Sequence, residues 1–195
     1  MSITVRTLDP GEVQERIADL ARLRIAVFRE WPYLYDGDAG YESGYLASFA
    51  AAPHAVLVAA FDGADIIGMA TASPLAAQGA AVLEPVAAHG FDVPTTFYFG
   101  ESVLLPQWRG RGIGHAFFDQ REAGARRAGA RTATFCSVIR PDDHPMRPEG
   151  ARSHAAFWTA RGYREVPGLV CTMHWADLGD AGETPHLLQF WSRAL

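Results

Sequence analysis

The stretch QWRGRGIGHAFFDQ, residues 107–120, sets three glycines and two arginines at positions 109–114 and runs without a break into a helical pattern. Just before it, TTFYFGESVLL (95–105) is rich in aromatic and branched residues and is closed by Pro106, the composition of a strand. A strand, a glycine-rich turn and a helix in that order leave few architectures. The first N–H groups of a helix are unpaired and carry the positive end of its dipole, and glycine lets a bulky anion approach them. The stretch reads as a phosphate cradle.

Three cradles compete. A P-loop requires Gly-Lys followed by Ser or Thr, and all 17 basic side chains here are arginines, which excludes it. A dinucleotide fingerprint needs G-x-G-x-x-G after the first strand and an acid about twenty positions on. Here Gly110, Gly112 and Gly114 lie deep in the chain, and Arg131 stands where the acid is expected. R-x-x-G-x-G remains (Arg109, Gly112, Gly114), beside the plain alternative of a glycine-rich turn with solvated arginines.

The rest of the chain sets the context. Its 195 residues fit one domain spanning 1–195 and suffice to bury a core. No apolar run approaches the roughly 20 residues of a membrane helix, so no membrane partner is expected. MSITVRTLDPGE lacks a basic region followed by an apolar one, and a cytoplasmic location is expected. A net charge of −5 without a basic stripe argues against nucleic acid. The arginines that bunch between 109 and 131 suit one polyanionic small molecule, with Arg121, Arg126 and Arg127 read as a solvated helix face. Cys136 and Cys171 have no C-x-x-C spacing; they read as buried thiols, and no metal is expected.

Periodicity gives a strand at 3–8, a helix over 12–29, the aromatic interruption WPYLYDGD (31–38) and a helix over 41–51. A hairpin follows at 55–61 and 66–73, then an Ala-rich segment (76–90) that is either a helix or an ordered insertion. After the strand at 95–105 come a helix at 112–128, a strand at 132–139, a proline-rich loop at 141–151, a helix over 152–163, a strand at 168–177, and a tail read as ending in a short helix.

This order, with R-x-x-G-x-G after the fourth strand, resembles the GNAT superfamily of acyl-CoA-dependent N-acyltransferases over essentially the whole chain. FWTARGY (157–163) is similar to the F-Y-x-x-x-G-F pattern of the family's later helix. The resemblance implies an α/β fold of the α+β type, with a mixed, mostly antiparallel central sheet and helices on both faces. It implies acetyl-CoA as co-substrate, acylation of a small-molecule or peptide amine, and a homodimer with Phe190 and Trp191 either at its contact or packed within the chain. The backbone of Val103 and Leu104 would hold the pantetheine arm. The N–H groups of Arg109, Gly110, Arg111, Gly112, Ile113 and Gly114 would hold the pyrophosphate, with added charge from the Arg109 and Arg111 side chains.

The resemblance makes Glu101 the candidate general base, directly or through water, beside the alternatives that it only forms a structural hydrogen bond or projects into solvent beyond a bulge. On strict alternation it shares a face with Phe97, Phe99, Val103 and Leu105, and a carboxylate on an apolar face is costly unless it is paired or at an opening. It also follows Gly100, and a glycine inside a strand often marks a bulge. Trp158 stands where many members have a tyrosine that protonates the leaving thiolate, and an indole is no acid at neutral pH. It is left to pack against cofactor or sheet; Tyr163, His154 and Cys136 are the weaker substitutes. For the acceptor, the connection between the first two helices carries Trp31, Tyr33, Tyr35, Asp36 and Asp38. These either receive a cationic amine or cap the core and begin a turn. His144 and Arg147 either close over that pocket or lie in solvent. The alternative of another class is a domain of the same fold that senses acyl-CoA without turnover.

Overall fold

A computed structural model describes residues 3–195. The chain opens with β1 (Ile3–Leu8) and α1 (Pro10–Glu15). Asp9 caps α1 through a capping box: its carboxylate accepts the Glu12 N–H, and the Glu12 carboxylate accepts the Asp9 N–H. The helix expected over 12–29 is broken at Arg16, whose N–H reaches the carbonyls of both Glu12 and Val13 before α2 (Ile17–Phe28) begins. Then follow α3 (Ala39–Ala51) and the hairpin β2 (Val56–Asp62) and β3 (Asp65–Pro74). The undecided Ala-rich segment is a 3-10 turn (Leu75–Ala77) and a helix, α4 (Ala80–Ala88). The chain continues with β4 (Thr96–Leu104), α5 (Ile113–Arg127), β5 (Thr132–Val138), α6 (Ala155–Ala160), β6 (Arg164–Trp175) and β7 (Thr184–Ala194).

The tail is therefore a strand and not a helix. His186, Leu188 and Phe190 are buried at a spacing of two while Leu187 is exposed, which is the pattern of a strand with one covered face. β7 pairs antiparallel with β5 from Thr132–Ala194 to Val138–Leu188, and with β6 on its other side. Phe190 and Trp191 are buried in this chain's own core, so they offer no dimer contact.

The seven strands form one sheet in the order β1-β2-β3-β4-β5-β7-β6, antiparallel throughout except for the parallel pair β4–β5. One face is covered by α5 and α6, through Ile113, Phe117, Phe118 and Phe157 on Phe97, Phe99 and Phe135. The other carries α1 to α3, with Leu20, Leu23 and Leu46 on Leu57, Met69 and Val103; at the far end Val82 and Val86 of α4 meet Tyr98, Leu188 and Phe190. This is the mixed, mostly antiparallel sheet with helices on both faces that the sequence implied.

Two departures from regularity lie near the middle of the sheet. The β4–β5 pairing stops at Tyr98–Thr134, although β4 continues to Leu104 and β5 to Val138, so the sheet is split beyond that point. Arg121, expected on a solvated face, is 2% exposed and points from α5 into the sheet.

Close packing of α5 on β2 depends on Gly124, where a Cβ would lie 2.7 and 3.3 Å from the two Val56 methyl carbons. We expect Gly124→Val to destabilise by about 1–3 kcal/mol, as overpacking of a tight core does. Gly44→Ala, on the exposed side of α3 with nothing within 4 Å, should stabilise by about 0.5–1 kcal/mol. Urea midpoints check both; equal effects would mean that α5 can move off the sheet freely.

Candidate functional site

The site begins with a defect in a ladder. Ala70 of β3 pairs with Ser102 and Ala72 with Phe99, so Thr71 faces two residues of β4, Gly100 and Glu101. That is a β-bulge. The Thr71 hydroxyl accepts the Glu101 N–H at 3.2 Å and sits 2.5 Å from where a Cβ on Gly100 would be, so the position admits only glycine. The extra residue flips the alternation. Phe97 and Phe99 face α5, whereas Val103 faces α2 and α3, and so does the Glu101 carboxylate. The single shared face expected for these residues is thereby corrected; Leu105, beyond the strand, touches both clusters.

Glu101 is 8% exposed and paired. Its Oε1 forms an ion pair with Arg24 of α2, and its Oε2 accepts from the Tyr45 hydroxyl of α3 at 3.3 Å. Arg24 also pairs with Glu42 of α3, which is 1% exposed, and its guanidinium lies over the rings of Tyr45 (4.4 Å) and Phe28 (5.1 Å). Burial alone would weaken the Arg24 charge, but Glu101, Tyr45 and Glu42 outweigh it and hold its pKa above the ordinary value. Burial and the Glu101 carboxylate push the Tyr45 hydroxyl up, so it stays a proton donor. Arg24, Glu42 and Tyr45 were missed from sequence. The signal was present: Leu20 and Arg24, like Glu42 and Leu46, stand four apart on the buried stripes of their helices.

The split between β4 and β5 opens beside this cluster. Leu105 donates to Ile67, so alternation directs the N–H and C=O of Val103 toward β3 and those of Leu104 toward the split. The Arg109 side chain reaches back to this edge: its Nε donates to the Leu104 carbonyl at 3.1 Å and its Nη2 pairs with Glu30 at 2.8 Å. Arg111 lies over Trp108 at 4.7 Å and donates to the Gln107 carbonyl. Neither guanidinium points into the cradle as expected. The cradle itself is backbone. The N–H groups of Gly110, Arg111, Gly112, Ile113 and Gly114 have no acceptor among the described residues. Gly110 and Gly112 take φ of 74° and 80°, and a Cβ on either would meet nothing within 4 Å. Ile113 anchors the turn in the core, and Phe157 of α6 lies 3.4 Å from where a Cβ on Gly114 would be, an ordinary contact.

Trp158 packs against Phe135 and Trp191, both at 5.1 Å between ring centroids. None of the three substitute acids is placed as a free donor. Tyr163 is fully buried, donates to Glu122 at 3.2 Å, and has its hydroxyl pushed up by burial and that carboxylate. Cys136 is buried 3.0 Å from the Tyr98 hydroxyl, and its thiol is pushed well up by Cys171 and burial. The His154 imidazole is pushed down by burial and by Arg109, so it is neutral at pH 7.

Of the acceptor segment, Tyr33 and Tyr35 pack against the apolar cluster of Tyr98, Leu169, Trp175 and Leu188, and the others do not. Burial raises both hydroxyls; Glu101 adds to the effect on Tyr33 and Glu42 to that on Tyr35. Trp31 packs instead on His144 at 5.2 Å. Exposed Asp36 pairs with Arg29, Asp38 caps α3 through the Tyr41 N–H, and Arg147 pairs with Asp142. The segment is clipped to the sheet by Arg140, which donates to the carbonyls of Pro32 (2.8 Å) and Tyr33 (2.7 Å) and holds Asp177 with two nitrogens. The Trp175 indole donates to the same Tyr33 carbonyl and to Asp177, each at 3.0 Å.

Among the described residues, no group of three or more His, Cys, Asp or Glu is placed to hold a metal ion, and no helix is long and apolar enough to cross a membrane. A sequence model of the acetyltransferase (GNAT) family matches residues 20–148. No curated protein matches the chain. The fold is similar to that of Salmonella typhimurium yncA solved with its cofactor acetyl-CoA (TM-score 0.62, 14% identity, covering 100% of this chain and 95% of that one). It is also similar to a ribosomal-protein-alanine N-acetyltransferase from Brucella melitensis (0.64, 12%, 98% and 99%) and to an aminoglycoside 6'-N-acetyltransferase complexed with coenzyme A (0.60, 15%, 98% and 96%).

The Arg140 clip gives a pH prediction. Burial alone would push the Asp177 carboxyl up, but the hydrogen bonds and charge of Arg140 hold it below its usual 3.8. A carboxyl depressed in the folded state adds stability that is complete above its unfolded pKa of about 4 and is lost as pH falls through the folded value. Asp177→Asn should therefore be less stable than wild type at pH 7, with the gap between their urea midpoints closing below about pH 4. A gap that stays constant with pH would show that the charge contributes nothing.

Proposed function

Since the chain belongs to the acetyltransferase (GNAT) family, we propose that it is an enzyme that moves the acetyl group of acetyl-CoA to a primary amine of a small molecule or peptide. The observation that carries this is the row of unpaired N–H groups from Gly110 to Gly114 at the head of α5, next to the split edge of β4. The glycine conformations and the open space above them fit a bulky pyrophosphate. The Leu104 backbone takes the pantetheine arm once Arg109 releases its carbonyl, and Trp158 stays a packing residue. Val103 shapes the strand without offering its own backbone.

Acetyl-CoA supplies the acyl group as a thioester whose thiolate is a ready leaving group. The amine nitrogen attacks the thioester carbonyl, the C–S bond breaks, and the nitrogen sheds a proton. Glu101 takes that proton through water, because both its oxygens are already engaged, by Arg24 and by Tyr45. Those partners fix the carboxylate in one orientation. The acceptor candidates Trp31, Tyr33, Tyr35 and Asp36 stay together on the segment that Arg140 and Trp175 clip to the sheet, and aromatic rings with a nearby carboxylate suit a cationic amine. The reading extends to a cytoplasmic protein with neither nucleic-acid nor membrane partners and no metal, and to a homodimer that does not use Phe190 and Trp191.

The ion pair that holds Glu101 also favours a second reading, in which the domain binds acyl-CoA without turnover. Calorimetric titration with acetyl-CoA should give micromolar binding that Gly112→Glu abolishes; a folded wild type that does not bind ends both readings. Thiol release with a panel of amines then separates them. In the transfer reading Glu101→Gln lowers kcat by about 100-fold or more while the Kd for acetyl-CoA changes less than about threefold. Binding without thiol release from any amine leaves the sensor.

A further inference from the structure

Among the described residues Arg121 is the largest side chain to be fully buried, and no carboxylate among them forms an ion pair with it. Its guanidinium lies between the rings of Phe99 and Phe118, at 4.6 and 4.5 Å. Nε donates to the Phe117 carbonyl one turn back at 3.3 Å. Nη1 donates to the carbonyls of Thr71 at 3.4 Å and Glu101 at 3.3 Å. Those are the two strands of the bulge, reached from the face opposite the Glu101 carboxylate.

A buried cation without a counter-ion is expensive, and burial pushes the Arg121 pKa down to about 10 even with Tyr163, Glu101 and Glu122 working in the other direction. A leucine would fill the same slot between two phenylalanines at lower cost. What leucine lacks is a donor for the Thr71 and Glu101 carbonyls, where the ladder is interrupted. We propose that Arg121 is a positioning residue: from behind the sheet it holds the Thr71 and Glu101 carbonyls, and so fixes the bulge that aims the Glu101 carboxylate and sets the free edge of β4. The functional half of this rests on the transfer reading; the geometric half does not.

The test uses Arg121→Gln and Arg121→Lys in the full chain. Hydrogen exchange of the free protein, read by mass spectrometry, should rise at least tenfold over residues 97–105 in Arg121→Gln and stay unchanged over 132–138. With an amine that the wild type acetylates, kcat should fall at least tenfold and its pH profile should differ from the wild type's, while the acetyl-CoA Kd changes less than threefold. Arg121→Lys, which keeps a cationic donor on a side chain one bond shorter, should recover part of both effects. Exchange that is unchanged, or that rises equally across the sheet with a lower Tm, overturns the proposal. Loss of stability with wild-type kcat and pH profile in the folded fraction overturns it as well. If the glutamine variant does not fold, the wild type decides: NMR should show Arg121 Nη protons protected from solvent, and rapid exchange of these protons contradicts the assignment. A wild type that acetylates nothing refutes the transfer reading alone, and the exchange comparison still decides what holds the bulge.

Discussion

One residue of β3 faces two residues of β4, and much of the site depends on that mismatch. Without the extra residue at Gly100–Glu101, alternation would continue and Glu101 would point with Phe99 toward α5, away from Arg24 and Tyr45. With it, the carboxylate turns to α2 and α3 and meets Arg24 and Tyr45. The bulge also lies just beyond Tyr98, where the pairing of β4 with β5 stops, while pairing with β3 resumes from Ser102 to Leu104. A single insertion thus relocates a charge and accompanies the opening of the sheet, and both consequences are irreversible at the level of register, because a slip of one residue would return every side chain to the wrong face.

The buried charges around Glu101 specify more than they stabilise. Bringing Arg24, Glu42 and Glu101 out of water carries a desolvation cost that their attraction only offsets, so apolar replacements of similar shape would be equally stable. Removing one partner is a different matter, since it strands the others. The three groups come from α2, α3 and β4, so only one docking of the two helices on the sheet satisfies all of them. Arg140 acts in the same way at the other end of the split, where one guanidinium joins the segment after α2 to Asp177 beyond β6. Two arginines with fixed hydrogen-bond geometry thereby frame the region between cradle and acceptor segment.

Local signals carried the element order and the cradle into the sequence, because glycines, prolines and hydrophobic periods act within a few residues. The break at Arg16 was hidden because Val13, Ile17 and Leu20 keep their spacing through it. β7 was hidden because adjacent buried Phe190 and Trp191 blur a two-residue period. The long-range partnerships had no local signature at all. Arg121 reads as one more charge on a helix rich in them until its neighbours across space prove to be the two strands of a bulge, 20 and 50 positions earlier. Arg109 shows the converse: its place in the motif was legible, but its hydrogen bond to Leu104 and its pair with Glu30 depend on how the turn folds back on β4.

That contrast bears on which part of the cradle is built in advance. The Arg109–Glu30 pair has both side chains more than a third exposed, and pairs of that kind are worth about 0–1 kcal/mol. It can give way to a ligand at little cost, freeing the Leu104 carbonyl as it goes. The N–H row cannot rearrange so cheaply. Gly110 and Gly112 are fixed in left-handed conformations by the turn, Ile113 is locked in the core, and α5 behind them is pinned by Gly124 against Val56. In the proposed function, anion recognition would therefore rest on backbone dipoles held rigid by packing, with the arginine side chains as adjustable additions, a division of labour that would account for glycines rather than arginines dominating the motif.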